Sequence, residues 1–208
     1  QFPNNKHIIY ELVNEPNPGS KPGNSNDAAG WAQIKAYATP IVEMLRGSGN
    51  RNLILVGTPN WAQRPDLAGA NPIADANVAY TFHFYTGTHR TSDHAGNRSN
   101  VMSNVRYALE KGTPVFASEW GTSEADGNKG PYLKEADVWI DFLNKNNISW
   151  INWSLATKNE TSAAFAGKPV MSSAAPGRDH AWSMDGLAPS GEDVRSRIKG
   201  VSFTPIKR

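Results

Sequence analysis

The sequence contains no cysteine among its 208 residues. This absence excludes both a disulfide framework and a metal site with cysteine ligands. The sequence also lacks any apolar run near the roughly 20 residues that a membrane-spanning helix needs. Neither sign of charge is in large excess, because the chain has 21 basic and 19 acidic side chains and a net charge of only +2. That balance offers no electrostatic reason to expect nucleic acid or an anionic membrane as a partner.

The composition is that of an ordinary globular protein. Hydrophobic residues make up 38% and charged residues 19% of the chain, and the length is sufficient for one domain with a core. The seven Trp residues are more informative. An indole ring offers a flat apolar face on which the C–H face of a sugar stacks, while the sugar hydroxyls find polar partners nearby.

The stretch from Ile8 to Asn17 organises the rest of the sequence. Its apolar part, Ile8–Val13, predicts a buried strand that ends in Asn14, Glu15 and Pro16. Proline cannot donate to a strand ladder, so regular pairing must stop there. Asn14 and Glu15 are therefore expected at the carboxyl end of a strand.

A second apolar run, Val115–Ser118, ends in the same way with Glu119, and Gly121 then allows the chain to turn. Two carboxylates at two strand ends suggest a pair that faces one cleft. Such a pair can cleave a glycosidic bond, with one group donating a proton and the other attacking the sugar or activating water. The alternative for each glutamate is a helix cap or a surface ion pair.

Strands and helices alternate along the chain, which predicts parallel strands with helices outside them. We expect an α/β fold of the (β/α)8 barrel type, incomplete, with about five βα units. Pro40 should kink or split the first long helix, for which Asn26 or Asp27 is the expected N-cap. The predicted strands are Ile8–Val13, Leu53–Val56, Val78–Tyr85, Val115–Ser118 and Ile148–Trp153, and the helices end near Gly47, Glu110, Leu143 and Ile198.

His83 and Tyr85 alternate along the third predicted strand, so both side chains point to one face. There His83 can hydrogen-bond a glutamate and Tyr85 can hold a nucleophilic carboxylate, although ordinary strand packing explains the same pattern. A metal site at His83, His89 and His94 is a minor alternative, because their spacing crosses a loop and no helical His pair exists. We predict neither a metal nor a cofactor.

Further side chains are candidates for sugar contacts. Asn14 can hold a sugar hydroxyl, or it can be a simple turn residue. Trp61, in a loop, favours a stacking platform, whereas Trp153 at a strand end can be either a platform or a core residue. Lys158 and Glu160 lie in the long last loop, where solvated surface charges are the default.

These motifs resemble glycoside hydrolase family 5, and in particular its bacterial endoglucanase branch. The segment Asn14-Glu15-Pro16 is similar to the family signature after the fourth barrel strand, and His83 to His89 is similar to the sixth-strand segment. Trp153-Ser154-Leu155 with Lys158, Glu160 and the segment 161–164 is similar to the eighth-strand segment. The resemblance covers nearly the whole chain.

The resemblance implies roles for these residues in a retaining endo-β-1,4-glucanase. Glu15 would be the acid/base and Glu119 the nucleophile at the end of the seventh strand. Trp153 would bind at the cleavage subsite and Trp61 on the leaving-group side. The remaining implied substrate contacts are Asn14, His83, Tyr85, His89, Ala125, Lys158 and Glu160.

The resemblance also implies how the chain relates to a whole barrel. It extends over the fourth to the eighth strand, so we expect residues 1–208 to be a single catalytic domain that is truncated at its N-terminus. An arginine and a histidine that the family carries after its second and third strands have no counterpart here. The open side of such a barrel predicts a homo-oligomer or association with a missing N-terminal part.

The leading functional hypothesis is a secreted endo-β-1,4-glucanase that acts on cellulose-like glucans. Within the same family, mannan or xyloglucan is an alternative substrate, since a strand-end signature does not determine the sugar. An alternative of a different class is a truncated fragment that binds glucan without cleaving it.

Overall fold

The computed structural model describes residues 5–91, 101–166 and 186–200. Strands and helices alternate through most of this part of the chain. The strands are β1 (Tyr10–Glu11), β2 (Ile54–Gly57), β3 (Val78–Tyr85), β4 (Val115–Gly121), β5 (Trp150–Asn152), β6 (Thr157–Lys158) and β7 (Phe165–Ala166). The helices are α1 (Ala28–Gly47), α2 (Pro59–Ala62), α3 (Pro65–Ala70), α4 (Val101–Glu110), α5 (Leu133–Lys145) and α6 (Pro189–Ile198), with a 3₁₀ turn at Pro18–Ser20.

The first five strands form one sheet in the order β1-β2-β3-β4-β5. The pairs β1–β2 and β2–β3 are parallel. Between β3 and β4, the amide of Tyr80 donates to Pro114 at 3.0 Å and that of Thr86 to Gly121 at 2.9 Å. Residue numbers that rise together on both strands mean that this pair is parallel too. Five sequential parallel strands with intervening helices confirm the predicted incomplete (β/α)8-type fold.

Several strand bounds differ from the sequence-based ones, and β4 continues to Gly121, three residues past its predicted end at Ser118. The predicted strand Ile8–Val13 is wrong in length, because β1 holds only Tyr10 and Glu11. It lies at one end of the order, with β2 as its neighbour, and Ile9 is 49% exposed. At the other end β5 is likewise shorter than predicted. The third strand has its predicted bounds, Val78–Tyr85, and all eight of its residues are buried.

Helix α1 begins where a side chain caps its first turn. The carboxylate of Asp27 accepts hydrogen bonds from the amides of Ala29 and Gly30. The predicted split at Pro40 did not occur, since the helix runs unbroken over 20 residues. A proline removes one amide donor from a helix. Here the buried face of α1, which includes Trp31, outweighs that loss.

The described residues divide into two compact units. The first comprises residues 5–83, 101–118 and 147–150, and the second comprises 84–91, 119–146, 151–166 and 186–200. The core of the first unit includes Trp31, Ile34, Ala38, Val42, Ile54, Val56, Ala68, Ile73, Val78 and Tyr80.

The second unit contains a group of stacked aromatic rings. Phe84 stacks on Trp139 with ring centroids 4.0 Å apart and on Trp120 at 5.6 Å. Offset stacking of this kind stabilises a core beyond the burial of apolar area alone. Within the described ranges, none of the helices has the length and apolar character required to cross a membrane.

Arg46, near the end of α1, ties together the loops that precede β2 and β3. Its guanidinium donates two hydrogen bonds to Asp75, at 2.9 and 3.0 Å, and others to the backbone carbonyls of Asn52 and Asn77. The side chains of Arg46 and Asp75 are only 16% and 15% exposed. These bonds hold the pKa of Asp75 below its usual value.

Two exposed glycines provide a matched pair for testing the backbone. A Cβ at either position would meet no atom within 4 Å, but Gly112 has φ +72° whereas Gly47 ends a right-handed helix. We expect Gly47→Ala to raise the free energy of unfolding by about 0.5 kcal/mol. Gly112→Ala should lower it by about 1 kcal/mol, because its φ disfavours a side chain. Urea denaturation measures both, and equal effects of the two substitutions would contradict this interpretation.

Replacing Asp75 with Asn should lower the free energy of unfolding by about 1–3 kcal/mol at pH 7, because Arg46 loses its charged partner. Since the pKa of Asp75 is lowered in the folded protein, its stabilising effect is present above the unfolded value near pH 3.9 and is lost as pH falls through the folded value. The difference between the two proteins should therefore shrink below about pH 3.9. Urea denaturation across pH measures it, with Asp141→Asn at an exposed position as the control.

Candidate active site

The Asn-Glu-Pro segment lies directly against the end of β2 because Gly57 has no side chain. A Cβ at Gly57 would approach the carbonyl oxygen of Val13 to 2.5 Å, that of Asn14 to 3.0 Å and Cδ of Pro16 to 2.8 Å. Such contacts are shorter than real side chains allow. The glycine therefore determines how the chain leaves β1, and so where Glu15 is placed.

In the first unit, Glu15 is hydrogen-bonded to a buried histidine. Nδ1 of His83 lies 2.8 Å from Oε1 of Glu15, and Nε2 lies 2.9 Å from Oγ of Ser118. The side chain of His83 is 2% exposed and that of Glu15 is 30% exposed. One carboxylate oxygen is thus held by a rigid, buried partner while the group keeps access to solvent. The predicted hydrogen bond between His83 and a glutamate is confirmed.

In the second unit, Tyr85 contacts the other candidate carboxylate. Its hydroxyl donates to Oε1 of Glu119 at 2.6 Å, and Glu119 is only 9% exposed. Gly121 makes this possible, because a Cβ there would lie 2.6 Å from Cε1 of Tyr85. A hydroxyl that donates to a carboxylate oxygen holds the group in one orientation. This contact agrees with the interpretation of Tyr85 as the residue that positions a nucleophilic carboxylate.

Two candidate platforms present their indole rings to solvent. Trp61 is 49% exposed and Trp153 is 40% exposed. The exposure of Trp153 excludes the alternative prediction that it is a core residue. The ammonium group of Lys158 lies 5.2 Å from the ring centroid of Trp153 and 3.5 Å from Oε2 of Glu160. An exposed ring flanked by paired charges suits a ligand with both apolar C–H faces and hydroxyls.

Trp61 lies on a backbone turn that the sequence pattern did not predict. Asn60, Trp61 and Ala62 all have left-handed conformations, with φ of 60°, 54° and 55°. A non-glycine residue rarely adopts this region, and three in succession cost roughly 3 kcal/mol or more. Backbone bonds from Ala62 to Thr58 and from Gln63 to Pro59 hold the turn.

The remaining candidates occupy different environments. His89 follows β3 in a turn, where its Nδ1 accepts a hydrogen bond from the amide of Tyr85 at 2.9 Å. The amide of Ala125 donates to the hydroxyl of Thr88 at 2.9 Å, and Asn14 is exposed at the end of the first strand segment. His94, the third histidine of the alternative metal site, lies outside the described residues.

Sequence reasoning missed Ser118, which contacts His83 from the neighbouring strand. Ser118 directly precedes Glu119 in the same apolar run. Its proximity to His83 depends on the register between β3 and β4, which no local pattern reveals. A signal was nevertheless present, because a hydroxyl in an otherwise apolar strand needs a hydrogen-bond partner when it is buried.

A parallel sheet with helices between its strands, and with carboxylates at the carboxyl ends of two of them, defines a protein of the (β/α)8 class. The cellulase family model, glycosyl hydrolase family 5, matches residues 1–159. The chain belongs to this family.

Known proteins resemble the chain in sequence and in structure. An endoglucanase of Halalkalibacter akibai is 56% identical over 100% of this chain. The structure of a thermostable, halotolerant GH5 cellulase from an Icelandic hot spring isolate aligns with a TM-score of 0.89 at 54% identity, over 100% of this chain and 62% of the other. The catalytic domain of the Thermobifida fusca endoglucanase Cel5A, in a variant bound to cellotetraose, aligns with a TM-score of 0.75 at 29% identity, over 95% of this chain and 59% of the other.

The chain spans less than two thirds of the length of the curated relatives that it matches. It covers 28% of the Halalkalibacter akibai endoglucanase.

Replacing Gly57 with Ala tests the packing of the Asn-Glu-Pro segment. The new Cβ would collide with backbone atoms of Val13 and Asn14, which cannot move without displacing the segment. We expect the free energy of unfolding to fall by about 1–3 kcal/mol. Urea denaturation measures it against Gly47→Ala, which adds the same methyl group in open space. Equal stability of wild type and Gly57→Ala would show that the close approach is unimportant.

Proposed function

We propose that this chain carries the catalytic carboxylates of a retaining endo-β-1,4-glucanase, with Glu15 as acid/base and Glu119 as nucleophile. The observation that supports this most directly is that each carboxylate is held by one buried partner, with Glu15 shortly after β1 and Glu119 near the carboxyl end of β4. His83 holds Glu15 and Tyr85 holds Glu119. Membership of glycosyl hydrolase family 5 agrees with this assignment.

The two groups differ in the way that the two roles require. Glu119, with 9% exposure and a donated hydroxyl bond, is suited to act as a carboxylate fixed in one orientation. Glu15, at 30% side-chain exposure, is suited to exchange protons with a leaving group and then with water. An acid/base must give a proton to the leaving group and later take one from water, whereas a nucleophile must only form and then break a bond to the sugar.

In the first step of this mechanism, Glu119 attacks the anomeric carbon while Glu15 gives its proton to the leaving oxygen. A covalent glycosyl-enzyme forms and the leaving sugar departs with a new hydroxyl group. In the second step, the Glu15 carboxylate takes a proton from water, and the resulting oxygen displaces Glu119. The sugar is released with retained configuration, and both carboxyl groups return to their initial protonation states.

The proposed substrate is an internal β-1,4-linked glucan. Relatives are named endoglucanases, and one solved relative is a complex with cellotetraose. In this chain, the exposed rings of Trp61 and Trp153 are suited to stacking on glucosyl units. The other proposed sugar contacts are Asn14, His89, Ala125, Lys158 and Glu160.

The wider biological role is part of the same proposal. A polymer such as cellulose is too large to enter a cell, so an enzyme that cuts its internal bonds must act outside. We therefore place the protein among secreted enzymes of polysaccharide degradation and carbohydrate metabolism. The single catalytic domain, its N-terminal truncation and its association through the open side remain predictions.

A second candidate function is glucan binding without cleavage. The exposed aromatic rings and the Lys158–Glu160 pair favour it, because sugar stacking needs no catalytic carboxylate. The two functions share a ligand and differ in whether bonds are cut.

Release of reducing ends from carboxymethylcellulose tests the proposal. We expect activity in the wild type and a loss of at least about 100-fold in both Glu15→Gln and Glu119→Gln, because each variant removes one chemical role. Glu43→Gln, at an exposed position of α1, is the matched control and should keep full activity. Wild-type chain that binds the polymer in affinity electrophoresis without cutting it would instead establish the binding function.

A dinitrophenyl cellobioside separates the two roles. Its leaving group departs without a proton, so Glu15→Gln should still release a burst of dinitrophenol whereas Glu119→Gln should release none. A burst from Glu119→Gln and none from Glu15→Gln would reverse the assignment.

A further inference from the structure

The side chain of Asn26 joins two segments of the first unit. Its Nδ2 donates to Oδ1 of Asn17 at 2.7 Å and to Oδ1 of Asn60 at 3.3 Å. Asn17 lies two residues after Glu15, and Asn60 directly precedes Trp61. From this geometry we propose that Asn26 is a positioning residue that fixes the turn under Trp61 and thereby the sugar platform that the indole ring provides. The inference rests on the proposed role of Trp61 in glucan binding.

The orientation of the Asn26 amide follows from a third contact. The backbone N–H of Gly19 meets Oδ1 of Asn26 at 3.0 Å. A backbone N–H can only donate, so the atom that it meets is the amide oxygen, and Nδ2 points to the other two asparagines. Each hydrogen of Nδ2 then has an acceptor. An ionised aspartate side chain has no donor and a serine side chain has only one, so neither could make the same set of bonds.

The backbone of Asn26 is held from the other side of the same turn. The guanidinium of Arg64 donates from one nitrogen to the carbonyl oxygen of Asn26 at 3.1 Å, and from two others to Asp66 at 2.9 and 2.7 Å. The paired carboxylate holds this planar group in one orientation. Asn26 is thus linked to the residue before Trp61 by its side chain and to a residue after Trp61 by its backbone.

The turn needs such an anchor because its own conformation is unfavourable. Asn60, Trp61 and Ala62 are all left-handed. Asparagine tolerates this region better than most residues, but tryptophan and alanine do not. A strained backbone persists only where its surroundings determine it. Trp61 is also 49% exposed, so packing fixes its ring only in part and the backbone decides its direction.

Replacing Asn26 with Ala removes the link between the two segments. We expect KM for cellohexaose to rise about 3- to 10-fold, the scale of one aromatic stacking contact, while kcat stays within about 2-fold of the wild type. Asn24→Ala is the matched control and should keep the wild-type values, because the side chain of Asn24 bonds to Gln33 instead. A fall in kcat at unchanged KM would overturn the proposal and place the effect at Glu15.

Two substitutions at Asn60 separate the hydrogen bond from the preference of a residue for a left-handed backbone. Asn60→Asp keeps an oxygen that accepts from Asn26, whereas Asn60→Gly favours positive φ and offers no acceptor. We expect KM to stay within about 2-fold in the Asp variant and to rise about 3- to 10-fold in the Gly variant. Both variants keep Asn26, so they test the bond even if Asn26→Ala does not fold. A wild-type KM in the Gly variant would overturn the proposal, since backbone preference alone would then hold the turn.

A double-mutant cycle shows whether Asn26 acts through the indole ring. In the Trp61→Ala background, Asn26→Ala should raise KM by less than about 2-fold, because the platform that it positions is already gone. The same rise in both backgrounds would overturn the proposal, because Asn26 would then serve some other group.

A measurement that needs no activity separates this inference from the proposed function. In protein labelled with 5-fluorotryptophan, the ¹⁹F signal of Trp61 can be assigned by its loss in Trp61→Phe. We expect this signal to shift or broaden in Asn26→Ala and Asn60→Gly and to keep its wild-type position in Asn24→Ala. An unchanged signal in Asn26→Ala and Asn60→Gly would exclude the positioning role even in an active enzyme. The expected shifts in a chain that neither binds nor cuts glucan would refute only the proposed function.

Discussion

The imidazole of His83 depends on a hydrogen bond on each of its sides. It belongs to a strand whose eight residues are all buried, and a polar group in such a place costs several kcal/mol when it has no partner, by roughly the scale of amide transfer. Glu15 and Ser118 supply those partners from two other segments of the first unit. The positions of Glu15 and Ser118 are therefore linked to the folding of β3. The hydrogen bond that holds the candidate acid/base also gives the buried imidazole of this strand a polar partner.

Close backbone approach is the second condition on which the strand ends depend. Gly57 lets the segment that carries Glu15 lie against β2, and Gly121 lets the ring of Tyr85 lie against the chain just after Glu119. In each case the space that a side chain would fill is occupied by a neighbour of a candidate carboxylate. Small residues at the ends of these strands thus determine the placement of large, functional ones.

The turn under Trp61 shows backbone strain at an exposed aromatic residue. Three left-handed residues in succession are costly, and the surrounding bonds compensate for them. The hydroxyl of Thr58 donates to the carbonyl of Thr81 at 2.9 Å, and backbone bonds close the turn. Trp61 is exposed in this turn although Pro59 and Ala62 on either side of it are buried. The strain agrees with the proposed use of Trp61 as a sugar platform.

Local patterns in the sequence were enough for much of the fold and for the identity of the candidate carboxylates. An apolar run followed by a polar pair and proline identified Glu15, the alternation of His83 and Tyr85 put both on one face, and the capping chemistry of Asn26 or Asp27 marked the start of α1. The tertiary structure alone decided that β1 keeps only two residues, that α1 continues through Pro40, that Trp153 is exposed, and that Ser118 lies beside His83. The physical reason is that periodicity, capping and chain breaking act between residues close in sequence, whereas exposure and strand-to-strand contacts depend on segments tens of residues apart.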